Sequence, residues 1–182
     1  MRWCAGAGLV VGLGLLLGGC GAAPPVSVSP VATTSPEDTL AAVHWEEQLR
    51  DCSAASGGSG LGTLINSMTK GDVTGDGRLD TLVVDECKAS TSRWPSVVEV
   101  FDGASDPAHP TRLGMLMAGD PDAPRDARVA VEAGGRVVVT GAGLSRTAPL
   151  CCPDLAVRKV FSYANGTFTL VETTSSPVPV PS

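Results

Sequence analysis

Ala156-Val157-Arg158-Lys159-Val160-Phe161-Ser162-Tyr163-Ala164-Asn165-Gly166-Thr167-Phe168-Thr169-Leu170-Val171 reads as two runs of strand character around an Asn-Gly pair. Asn-Gly suits a two-residue type I′ turn, in which both central residues take positive φ, so the runs at 156–163 and 167–171 are expected to pair as an antiparallel hairpin. Working back toward the N-terminus, runs of strand character recur at 136–140, 128–131, 113–118, 97–101 and 79–87, separated by turn signals at short intervals. Gly134-Gly135 joins two of them. Val98 and Val100 flank Glu99, and Val129 and Val131 flank Ala130, which implies one dry and one wet face along these strands. No internal repeat points to a propeller.

Upstream of the strands the pattern changes. Ser35-Pro36-Glu37-Asp38 has the features of a helix start: a capping hydroxyl, a proline in the first turn, and acids where the helix dipole favours them. Ala41, Trp45, Leu49 and Cys52 would share one helical face, with Glu46, Glu47 and Arg50 outward. The Ser- and Gly-rich stretch at 53–62 reads as a loop. The expected fold class is therefore α+β, one N-terminal helix packed on a mainly antiparallel sheet of about six or seven strands, stapled by disulfides.

Composition supports one folded domain. The chain has 182 residues, 43% hydrophobic and 18% charged, which is the balance of a globular chain. Its net charge of -6 argues against nucleic-acid binding, which needs a basic surface to neutralise phosphates. The expected organisation is a signal peptide at 1–19, an uncharged spacer rich in Pro, Ser, Thr, Val and Ala at 20–35, a single domain at 36–172, and a Pro-rich disordered tail at 173–182.

Arg2 followed by the apolar run at 5–17 makes the first segment a signal peptide, since that run is shorter than the about 20 residues that span a hydrocarbon core. Leu17-Gly18-Gly19-Cys20 resembles the bacterial lipobox, whose cysteine takes a diacylglycerol before cleavage; Gly18 departs from the commoner Ala, Ser or Thr. The rival reading, cleavage after Ala23, would put Pro24 and Pro25 directly against the peptidase. The resemblance implies a mature chain anchored through Cys20 on the extracytoplasmic face of a membrane, held by two acyl chains where one would not suffice.

Outside the cytoplasm, the remaining cysteines at 52, 87, 151 and 152 read as two disulfides. If the Cys151-Cys152 segment is extended, its side chains point to opposite sides, so the two are expected to bond different partners. A four-cysteine zinc site would need paired short spacings, which are lacking.

Asp72-Val73-Thr74-Gly75-Asp76-Gly77-Arg78-Leu79-Asp80 places oxygen-bearing side chains at loop positions 1, 3, 5 and 9, a glycine at 6 and the Arg78 carbonyl at 7. Calcium takes hard oxygen ligands in such a loop, so Asp72, Thr74, Asp76, Arg78 and Asp80 form a candidate calcium set. Val83 stands where an EF-hand has its bidentate Glu, and a strand follows in place of a helix. The loop looks more like those of FG-GAP and dockerin-type sequences. The plainer alternative is an acidic turn leading into the next strand.

The order of this loop, Cys87, Cys151-Cys152-Pro153-Asp154 and Phe161-Ser162-Tyr163 with Gly166 and Phe168 resembles small actinobacterial lipoproteins of the LppP/LprE type. The resemblance implies a surface lipoprotein and brings no catalytic residue with it.

Catalytic signals do not assemble. Ser67-Met68-Thr69-Lys70 fits S-x-x-K, but the partner motifs S-D-N and K-T-G are missing. Gly57 to Gly62 lacks the dinucleotide-loop spacing, and G-x-S-x-G is absent. His44 and His109 have no second histidine at ligand spacing. Asn165-Gly166-Thr167 matches a glycosylation acceptor, although the turn accounts for it. The expected function is a non-catalytic, envelope-tethered module that binds an envelope protein or ligand. The alternatives are a cell-envelope hydrolase with scattered residues, which needs a histidine in a cleft beside a carboxylate and a nucleophile, and a carrier of an apolar ligand, which needs a cavity.

Overall fold

Ala164 pairs with Thr167 across Asn165 and Gly166, whose φ values of 53° and 76° are those of the expected turn. This hairpin ends a longer meander. The computed structural model describes residues 38–53, 60–90 and 94–178. Its strands are β1 (Thr63–Gly71), β2 (Asp80–Cys87), β3 (Val97–Phe101), β4 (Arg112–Leu116), β5 (Arg125–Glu132), β6 (Arg136–Gly143), β7 (Leu155–Ala164) and β8 (Thr167–Pro177). They form two antiparallel sheets of four, ordered β1-β2-β3-β4 and β5-β6-β7-β8.

Side-chain alternation determines how the sheets meet. Leu82 and Val84 on β2, Val98 and Val100 on β3, Val137 and Val139 on β6 and Phe161 on β7 belong to one buried apolar cluster, so the two sheets share a core between their facing surfaces. Where β1 meets β5, glycine permits close approach: a Cβ on Gly71 would overlap the Val131 side chain. On the outer face of the second sheet, Arg158 bonds Glu172 at 2.6 Å and lies 3.5 Å from Glu132, a charged lattice over the buried Val138 and Val160.

The α+β expectation is corrected here. No α-helix occurs among the described residues, and the described part of the expected helix reduces to a 3₁₀ turn at Trp45–Glu47 after an extended His44 with ψ 90°. The cause is the outer face of the first sheet, which carries Val83, Asp85, Glu99 and Phe101. Leu40 and Trp45 pack on Val83 and Phe101, with the Trp45 and Phe101 rings 4.9 Å apart. Arg50 donates its backbone N–H to Glu99 Oε1 and its Nε–H to Asp85 Oδ1, each at 2.7 Å. In a helix that backbone donor would be committed to the carbonyl four residues earlier, leaving a buried carboxylate short of a partner. Such a loss costs kilocalories, whereas helix preference contributes about 0.7 kcal/mol or less per ordinary residue. Arg50, expected outward, therefore turns in, and Ala41, expected inward, is exposed.

Glu99 also departs from the expected wet face, at 0% exposure. Its Oε2 lies 2.7 Å from Arg112 Nε, which pairs with it by charge but outside hydrogen-bond alignment. Desolvation raises the carboxyls of Asp85 and Glu99 above their ordinary values, against the opposing pull of Arg50 and Arg112.

Two boundaries also change. β1 was not expected as a strand: it lies at a sheet edge and mixes Thr, Asn, Ser and Lys with few apolar residues, and a bulge shifts its pairing register between Ile65 and Ser67. Residues 173–177, read as tail, continue β8, with Ser176 opposite Ala156 and Pro177 opposite Leu155. An exposed edge strand accepts small polar residues and a terminal proline, which hides its strand character in the sequence.

A cleft at the end of the second sheet

The carboxylate loop links β1 to β2, and its oxygens are engaged by backbone amides. Asp72 accepts from Gly75, Asp76 and Gly77 N–H at 2.6, 3.1 and 3.0 Å, and Asp76 accepts from Arg78 N–H at 2.8 Å. Asp80 is buried and accepts from Val73, Thr74 and Gly103 at 2.8, 3.0 and 2.8 Å. Burial raises the Asp80 carboxyl, and the three amides partly offset it. Among the described residues no group of three or more His, Cys, Asp or Glu side chains is placed to hold a metal ion. The Asp72, Thr74, Asp76, Arg78 and Asp80 set does not fit a calcium cage as folded, because Asp80 points into the protein to tie this loop to the β3–β4 turn at Gly103.

Cys52 and Cys87 bond each other, with Cα atoms 5.4 Å apart, and tie the N-terminal segment to the end of β2. With both of those thiols used, Cys151 pairs with its neighbour Cys152, which corrects the expectation of separate partners. The premise of an extended segment fails, since Cys152 N–H donates to Pro149 O at 2.9 Å and closes a turn. Cys20 lies outside the described residues.

Several other candidates separate in space. Ser67 and Lys70 face opposite sides of β1, as any residues three apart in a strand do, and Lys70 pairs with Asp38. His44 is exposed beside the 3₁₀ turn, and His109 is exposed in a turn, 4.0 Å from Asp106.

A concave site forms elsewhere, where the start of β7 and the end of β8 face two loops. It encloses about 480 Å³ and is lined by residues 121–123 and Arg125, by 143–146, and by Leu155, Val157 and Lys159 at alternate positions of β7, together with Pro95, Leu150 and residues 173–175. Cross-strand pairing places Val157 opposite Ser175 and Lys159 opposite Thr173, while Val139, opposite Lys159 on β6, is a core residue. Lys159 thus enters from the core-facing side of the sheet. It is 5% exposed, and its Nζ donates to Asp120 Oδ2 at 2.7 Å. Gly143 is required at the floor, because a Cβ there would overlap Val157.

Both walls are fastened. Ala123 N–H bonds Asp120 O at 3.1 Å and Ser96 N–H bonds Pro124 O at 3.0 Å, which fixes the first loop. In the second, Asp154 accepts from the Ser145 hydroxyl and Ser145 N–H, both at 2.7 Å, and these bonds hold its carboxyl below the ordinary value. Neither histidine lines the cleft. Sequence reasoning passed over this site. The available signal was Lys159 itself, placed between Val157 and Phe161 at every second residue of a strand, where an apolar residue would continue the dry face.

Comparison of the chain with protein-family models, with curated proteins and with solved structures finds no match.

Proposed function

We propose that the mature chain is a lipoprotein held on the extracytoplasmic face of a membrane through Cys20, and that its two-sheet domain is a non-catalytic binding module. The observation that carries the binding assignment is the cleft of about 480 Å³. Its volume falls in the range of small-molecule sites, about 300–1,000 Å³, and it combines apolar walls with a few polar groups. Hydrogen-bonded loops supply a preformed shape, so little ordering is needed on binding. The lipobox-like Leu17 to Cys20, the uncharged spacer after it and the resemblance to LppP/LprE-type lipoproteins support the address.

Two measurements test the reading. In a host that acylates lipoproteins, Cys20→Ser should abolish acylation and move the protein from the membrane fraction to soluble or uncleaved forms; unchanged membrane association of a cleaved product refutes the anchor. Val157→Trp should fill the cleft. Mass spectrometry of small molecules carried by the purified protein should then show a species depleted in the filled variant, and identical profiles for a folded variant and parent refute the cleft as a binding site.

A further inference from the structure

We infer that the cleft selects a small amphiphile with an anionic head, a carboxylate or phosphate, set against Lys159 and Arg146, with its apolar body along Leu144, Leu155 and Val157. The inference rests on the cleft being a binding site and adds the ligand class. Lys159 is the central observation. An ammonium has three donors, and among the described residues the only acceptor within bonding distance of Nζ is Asp120. A side chain 5% exposed with donors to spare, in the lining of a cavity, is arranged to meet an acceptor brought by a ligand.

Charge points the same way. The whole chain is acidic at -6, yet the cleft lining holds Arg125, Arg146 and Lys159 against the single acid Asp122. Lys159 is already paired with Asp120, so the positive charge the lining offers an incoming anion is carried chiefly at Arg146. Arg146 makes no ion pair among the described residues and is exposed on the loop before Leu150, so its guanidinium can take two oxygens of a planar or tetrahedral anion side by side. Leu144, Leu155 and Val157 in the same lining offer apolar contact and no charge.

Isothermal titration of the full mature chain carrying Cys20→Ser, with decanoate, decyl phosphate, decanol and decyltrimethylammonium as probes below their micellar concentrations, tests this. Decanoate and decyl phosphate should bind saturably at one per chain, decanol about 10- to 100-fold more weakly, and the cation not at all. Preference between the first two identifies the head group. Arg146→Gln, at an exposed position that leaves folding intact, should weaken both anions and leave decanol unchanged, and Lys159→Met should do the same more strongly. Equal affinity for decanol and the anions overturns the charge selectivity while leaving the cleft as a binding site. Failure of both anions to bind overturns the inference outright, and the Val157→Trp comparison then decides separately whether the cleft binds anything.

Discussion

Breaking the Cys52–Cys87 bridge isolates what holds the N-terminal segment over the first sheet. The bond joins residues 35 apart in sequence, and in the chain-entropy model a loop of that length contributes about 4 kcal/mol by restricting the unfolded chain. Both cysteines are also buried, at 2% and 6% exposure, so Cys52→Ala/Cys87→Ala loses some packing as well. At about 2–4 °C per kcal/mol for a domain of this size, the melting temperature should fall by about 8–16 °C. The vicinal pair provides the internal control. A bridge between adjacent residues closes almost no loop, and both side chains are exposed, so Cys151→Ser/Cys152→Ser should cost less than about 1 kcal/mol. Urea denaturation of the Cys20→Ser chain gives both numbers, and Trp45, buried against Phe101, reports by fluorescence whether the segment leaves with the rest of the domain. A loss below about 1 kcal/mol for the Cys52→Ala/Cys87→Ala chain, or a larger loss for the vicinal variant, would refute the entropic account.

The buried acids predict an unusual pH response. Asp85 and Glu99 have folded-state carboxyls raised above their ordinary values of 3.8 and 4.5, so between those values and the raised ones the folded chain holds more protons than the unfolded chain. Stability from these groups should therefore fall as pH rises through that window, and Glu99→Gln should flatten the slope in denaturation series at several pH values; an unaltered slope contradicts the assignment. Asp154 contributes with the opposite sign, losing stability as pH drops below the ordinary carboxylate range. Gly103→Ala should destabilise by about 1–3 kcal/mol in urea, because its Cβ would overlap the Leu79 carbonyl and displace the N–H that serves Asp80, whereas Gly77→Ala, in open space at φ 86°, should cost about 1 kcal/mol. Calorimetric titration of chelator-stripped protein with calcium should give no saturable heat, since the Asp72 to Asp80 oxygens serve amides; a one-to-one binding curve would show that the loop rearranges around the ion.

Local chemistry was legible in the sequence. Asn165-Gly166 specified its hairpin because few dipeptides accept positive φ at both positions, and β2, β3, β5, β6 and β7 were readable because their β-branched residues pack in any sheet. Tertiary structure alone decided whether Glu99 met water. Its alternation with Val98 and Val100 is the same whether its face is bare or covered, and the cover comes from residues about fifty positions earlier, at Leu40, Trp45 and Arg50. The same packing overrode the helix signal over the described residues 38–52, since an amphipathic stripe contributes less than donors for two buried carboxylates. The cleft belongs wholly to this second level. Arg125 and Arg146 are unremarkable in sequence, and they join Lys159 in one lining only because β7 and β8 carry their inner face past the core to meet two loops. Pairwise contacts at long range create such a site, and sequence order contains no local trace of them beyond one lysine on a dry face.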